Sequence, residues 1–213
     1  MYETLMHKNN NKGIQKSIWV CFVGFLIFYS HISSAAIGLP ENTIRYGLAS
    51  NMGLYHVDDP QGESQKKFFV QPYNLLVTDW LPNAWRYNAE FYYASMLFKA
   101  ESNKIGQTVE QYGSRLLLMY NVNSLKVWQP WFGLGMDLSY AQFSQRHSVD
   151  EEGFLTGQFD DRKTLNAAWI FQMATEWQLD RRWDAGLKVQ YALPLNHSIQ
   201  SLSLGLYLLY RGF

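Results

Sequence analysis

The chain has one cysteine, Cys21, in 213 residues, and only six prolines. A lone thiol excludes an internal disulfide, and because Cys21 lies in the N-terminal apolar stretch expected to be removed, the remaining chain would offer no thiolate to a metal. Net charge is also missing. Eighteen basic and eighteen acidic side chains cancel, so no basic field points to nucleic acid. There is no phosphate-cradling glycine loop, zinc-ligand spacing or dinucleotide fingerprint. After residue 35 no apolar run approaches the roughly 20 residues of a spanning helix. With a mean hydropathy of -0.24 the chain looks soluble, but transmembrane strands leave a far weaker hydropathy signal than helices.

The N-terminus reads as an export signal rather than structure. Lys8, Lys12 and Lys16 form a basic stretch, Ile18 to Tyr29 an apolar core, and Ser33-Ser34-Ala35 a run of small residues. An uncleaved membrane helix is the rival reading, but the apolar core is too short to span. Residues 1–35 are therefore expected to be removed, leaving 36–213 as one barrel domain without cysteine. That remainder has 15 basic and 17 acidic side chains and stays nearly neutral.

What the chain does have is alternation. Eight segments, roughly 43–56, 68–80, 85–99, 109–122, 127–143, 164–179, 183–193 and 198–213, repeat apolar residues with period two. Each matches the ten or so residues with which a tilted strand crosses a bilayer. In the third, Trp85, Tyr87, Ala89, Phe91, Tyr93 and Leu97 share one face, and Arg86, Asn88, Glu90 and Tyr92 the other. The connections alternate as well. Those at 81–84, 123–126 and 180–182 are tight; those at 57–67, 100–108 and 144–163 are long and polar, and a short one at Pro194 to His197 departs mildly from the trend. Trp80, Trp85, Trp128, Trp177 and Trp183 flank the tight turns, where an indole with an apolar body and one N–H suits a membrane interface. Pro72 and Pro130 are read as lying near strand ends.

A soluble lipocalin-like barrel alternates too; only the direction of the apolar face differs. Three features favour the membrane form: several bulky aromatics per strand on one face, charges in mid-strand on the other, and a chain that ends on an apolar strand. The predicted fold class is all-β, an eight-stranded antiparallel up-and-down transmembrane β-barrel. The strand Trp128 to Ala141 (WQPWFGLGMDLSYA), the terminal LGLYLLYRGF and the turn–loop alternation resemble small bacterial outer-membrane barrels of the OmpX, OmpA and OmpW type. That resemblance implies residence in the outer membrane of a Gram-negative bacterium and insertion by the outer-membrane assembly machinery, which reads a C-terminal aromatic strand. Arg211 interrupts the apolar alternation running back from Phe213, so a bend near Gly212 is expected.

Parity places Arg45, Arg86, Glu90, Arg115, Asp137, Glu176 and Lys188 in the lumen. Buried charges in a narrow tube should pair, because an isolated one costs several kcal/mol. The leading expectation is a non-enzymatic barrel with a charge-plugged lumen, whose loops meet a ligand, a lipid or a partner protein. A narrow small-solute channel is the first alternative. A lipid A-modifying enzyme is the second, with His147-Ser148 and His197-Ser198 as its candidate pairs. Adjacent residues on a strand point to opposite faces, however, which works against a triad. His147, Asp150, Glu151, Asp160 and Asp161 include carboxylates of the kind that hold calcium or magnesium, but without ordered spacing, so no metal or cofactor is expected. His147, Phe154 and Phe159 are the interaction residues expected of the longest loop. The expected partners are outer-membrane lipid and lipopolysaccharide, the assembly machinery, and a surface or envelope protein.

Overall fold

The computed structural model describes residues 44–59, 61–81, 84–122, 130–196 and 199–211. The segment read as an export signal, Trp128, the 123–126 turn, His197-Ser198 and Phe213 lie outside these residues. Nine strands are present: β1 Arg45–Val57, β2 Gln65–Leu81, β3 Trp85–Phe98, β4 Gly106–Asn121, β5 Trp131–Val149, β6 Leu155–Gln158, β7 Arg162–Gln178, β8 Trp183–Pro194 and β9 Ile199–Arg211. All pairings between them are antiparallel. β6 is a short addition that pairs along the end of β5. The other eight follow chain order around a ring, and β1 closes on β9 from Arg45↔Arg211 to Val57↔Ile199. Pairing of β1 with β9 removes the two edges at which an open sheet would end, the condition under which strands can stand in lipid.

The two faces are inside out relative to a soluble barrel. Leu48, Leu75, Phe91, Leu134, Phe171 and Leu206 point outward and are exposed, while Asn51, Glu90, Arg115, Asp137 and Lys188 are buried within. An apolar band running right round the wall far exceeds the patches that soluble monomers expose. Its natural medium is hydrocarbon, and the fold is a transmembrane β-barrel. β3 shows the rule along its whole length, with even-numbered residues buried and odd-numbered ones turned out.

Three expectations about the elements need correction. β2 and β4 begin three residues earlier than the alternation indicated, and β5 runs on to Val149, so the long loops shrink to 58–64 and 99–105. The 144–163 segment is mostly a β5–β6 hairpin. Residue types lose their contrast there, but the main chain still has ladder partners, and those are set by neighbouring strands. Pro72 sits inside β2, not near its end. Ala49 pairs with Asn74 and Asn51 with Gln71, so Pro72 and Tyr73 together oppose Ser50 in a bulge, one of the places where a strand tolerates a missing N–H.

A second bulge lies where Thr108 pairs with Ser144 and Gly106 with His147. Gln145 there takes a left-handed backbone, φ 54°, and the extra residue turns Arg146 inward. Two glycines serve the interior differently. Gly113 lies opposite Tyr92, and Gly186 opposite Tyr207. A Cβ at either would collide with the tyrosine ring that folds over it, a packing that covers the glycine backbone with an aromatic face.

Phe91→Arg should destabilise the barrel by about 2–4 kcal/mol, because the charge meets hydrocarbon near mid-strand. Phe91→Leu should cost far less. Denaturant unfolding in lipid vesicles measures both, and equal losses would contradict the assignment of the outer face.

Candidate functional site: the lumen and its loop-end cap

The lumen is filled in layers. At the end where both barrel termini lie, β9 and β1 bring Arg211 and Arg45 onto Asp184 of β8. Arg45 Nη1 donates to Asp184 Oδ2 at 2.7 Å, and Arg211 grips both carboxylate oxygens at 3.1 and 3.0 Å. Glu176 of β7 accepts from Arg86, from Tyr207 Oη at 2.9 Å and from Arg45 at 3.5 Å. Two indoles stand between these guanidiniums. Arg45 lies 5.1 Å from the Trp80 ring, Trp80 meets Trp131 edge-on at 4.9 Å, and Arg86 stacks on Trp131 at 3.9 Å. Cation–π contact of this kind gains strength when water is excluded.

The middle layer centres on Glu90 of β3, which is 1% exposed. Lys188 Nζ donates to it at 2.7 Å, Asn51 and Gln190 amides at 3.1 Å each, and Arg115 at 3.4 Å. Arg115 Nε also donates to Asp137 at 2.9 Å, and Tyr92 Oη donates to the same carboxylate at 2.9 Å while its ring lies 4.0 Å from the Arg115 guanidinium. Two cations and two carboxylates balance, and the amides fill remaining lone pairs. This is what a buried ionic cluster needs if it is not to be a net loss.

Above lies an apolar layer of Tyr55, Val57, Met96, Phe98, Val109, Phe143 and Ile199. A third ionic contact caps it. Arg146, turned inward by its bulge, donates through Nη2 to both oxygens of Asp59 at 2.8 and 3.0 Å and to Gln61 at 2.6 Å, and through Nη1 to the Asp160 carbonyl at 2.9 Å. Phe159 stacks 5.6 Å from the Arg146 guanidinium, and Phe143 4.2 Å from that of Arg162.

All seven charges assigned to the lumen by parity therefore lie inside it, in two clusters. Most of them pair with one another, and residues outside the set join them. Asp184 and Tyr92 were legible, being on the inward parity of their strands. Arg146 was not, since parity counted from Phe143 turns Gln145 inward and only the bulge corrects it. Arg211 joins the network as the terminal partner of Asp184. Trp85, Trp177 and Trp183 face outward and are exposed, and Trp85 and Trp183 rest against Tyr120 and Tyr210 at 4.9 and 5.0 Å. Trp80 is corrected: it faces the lumen and packs on the core, because the Pro72 bulge shifts the inward set of β2 to Asn74, Leu76, Thr78 and Trp80.

In the longest connection, Phe154 is 66% exposed, and Phe159 is half-buried against Arg146. His147 is half-buried too, its Nδ1 2.8 Å from the Gln145 carbonyl, while Ser148 Oγ lies 3.0 Å from Thr156 Oγ1. The histidine and serine thus engage different neighbours. Asp150 Oδ1 accepts from the Glu152 and Phe154 amides and holds its own turn. The hairpin overhangs an open recess of about 350 Å³ lined by Arg146, His147, Leu155, Phe159 and Asp161.

Closed ring, apolar exterior and ionic interior together define the chain as a small eight-stranded barrel of the outer-membrane type. Its fold is similar to that of the outer membrane protein OprG from Pseudomonas aeruginosa, with a TM-score of 0.51 and 13% identity over 79% of this chain and 92% of that one. Neisserial surface protein A is similar at a TM-score of 0.50 and 13% identity, over 78% of this chain and 97% of that one. No family model and no curated protein matches the sequence.

Glu90→Gln should leave Lys188 and Arg115 facing each other without their shared counter-charge and lower stability by about 3–5 kcal/mol. Adding Lys188→Met should recover a large part of that loss. A double-mutant cycle in denaturant reads the coupling, and simple additivity would show that the two residues do not act as a pair.

Proposed function

We propose that this chain is a non-enzymatic barrel of the outer membrane of a Gram-negative bacterium, exported by a cleaved 1–35 segment and inserted by the outer-membrane assembly machinery. Its lumen is a permanent plug, and its loop end meets a ligand, a lipid or a partner protein. The observation that carries this reading is the filled lumen. An eight-stranded interior is just wide enough for side chains to occupy, and here two ionic clusters, an apolar layer and the Arg146–Asp59 cap follow one another along it. The cavity among Tyr55, Tyr92, Arg115, Asp137 and Ser201 is about 10 Å³, room for a single water.

The loop end supports the second half of the proposal. Phe154 and Leu155 are exposed apolar residues at the hairpin tip, beside the recess that holds His147 and Phe159. Apolar anchors on a hydrogen-bonded frame are how surface loops recognise partners.

The protein should fractionate with the outer membrane and migrate differently on gels with and without boiling, as closed barrels resist detergent unfolding. Recovery as a soluble periplasmic protein would overturn the location. In planar bilayers the inserted barrel should give no unitary current steps. Steady, ion-selective steps would replace the plug with a narrow channel, and Glu90→Gln should then alter their selectivity.

A further inference from the structure

The wall is not paired equally at every seam. Between β2 and β3 the ladder runs from Leu81↔Trp85 only to Asn74↔Tyr92. Beyond that point β2 continues along β1 from Gln71↔Asn51 to Gln65↔Val57, and β3 along β4 from Tyr93↔Tyr112 to Phe98↔Gln107. The Pro72 bulge marks the place where the two strands part. They rejoin at the loop end, where the Glu63 amide donates to the Asn103 carbonyl at 2.9 Å and Gln65 Nε2 to the Ile105 carbonyl at 2.6 Å. Between these limits lies a slot that side chains bridge. Gln71 Nε2 reaches the Tyr93 carbonyl at 3.5 Å, and Lys67 Nζ donates to the Leu97 carbonyl.

The outward rims of the slot have two chemistries. Lower down they are apolar: Phe68, Tyr73, Tyr93 and Leu97 are all exposed, Tyr73 at 78%. At the loop end both rims become cationic, with exposed Lys66 on β2 and Lys99 just beyond β3. The Lys67–Leu97 bond spans the slot at this height, and Lys66 and Lys99 lie one and two residues from its two ends. Of the carboxylates nearby, Asp58 is engaged by His56 at 3.2 Å and Glu101 by Lys104, Glu110 accepts from the Tyr93 hydroxyl at 3.3 Å, and Glu63 stands at the same loop end. Among the described residues neither Lys66 nor Lys99 has a carboxylate partner. Main-chain groups that lack a ladder at bilayer depth are costly unless something meets them.

We propose that the β2–β3 slot seats one acylated lipid carrying phosphate, with the phosphate between Lys66 and Lys99 and an acyl chain along Phe68, Tyr73, Tyr93 and Leu97. Ester and sugar oxygens of the lipid then stand where the main chain along the seam has no strand partner. Apolar residues below and cations above match the order of groups in an amphiphile crossing the interface. The proposal rests on the reading of the barrel as a membrane protein, but not on the plug.

The test is retention of lipid by the barrel released from phosphatidylcholine nanodiscs doped with lipid A, measured by native mass spectrometry. Wild type should keep one phosphorylated lipid per barrel and lose it when the dopant is dephosphorylated lipid A. Lys66→Gln with Lys99→Gln should lower retention about thirtyfold, as expected for two cations lost near a lipid surface. Lys163→Gln, on β7 across the ring, should leave it unchanged. An unboiled gel shift equal to wild type shows that the double variant is still a closed barrel. Equal retention by the double variant, or retention that survives dephosphorylation, would overturn the proposal. Displacement by inorganic phosphate alone would overturn it as well, leaving an anion site without a lipid. Current steps in a planar bilayer would remove the plug and leave this result untouched.

Discussion

Pairing of β1 with β9 is the interaction on which the rest of the molecule depends. Inside hydrocarbon no water is available to satisfy an open strand edge, so a sheet survives there only as a ring. The apolar exterior and the ionic interior have meaning only once that ring is closed, since closure decides which face meets lipid and which meets side chains alone. It also carries chemistry directly. The register that pairs Arg45 with Arg211 brings both guanidiniums to Asp184, so the seam that closes the ring is also where the lumen network begins.

A closed ring of eight strands leaves a narrow interior, and that width dictates the chemistry within it. Each inward polar side chain gives up water and must be repaid by a neighbour on another strand. Glu90 illustrates the solution: four donors from β1, β4 and β8 converge on one carboxylate. The aromatic residues inside do not contradict this polar character. Trp80, Trp131 and Tyr92 lie against guanidinium faces, filling volume that hydrogen bonds alone would leave empty while lowering the cost of the buried cations.

Irregularities in the ladder are where the barrel acquires individuality. One bulge turns Arg146 inward and caps the lumen. The other, at Pro72, shifts the inward set of β2 onto Trp80 and ends the β2–β3 ladder below the loop end. Both add one residue to one strand, and a single added residue exchanges inside for outside for everything beyond it until the next correction.

The sequence by itself determined the class of this protein. Period-two alternation over eight segments, mid-strand charges gathered mostly on one parity and turns of alternating length follow from local geometry that any strand must obey. They were enough to identify the ring, its strand number and the lumen side of Arg45, Arg86, Glu90, Arg115, Asp137, Glu176 and Lys188. Only the tertiary structure decided which of these charges pair, because Arg86 and Glu176, or Glu90 and Lys188, are about ninety positions apart and meet only through strand register. It also decided the inward place of Trp80 and Arg146 and the strand character of the 144–149 and 155–158 segments. Those features depend on bulges and on hydrogen bonds offered by neighbouring strands, and parity counted along one strand contains neither.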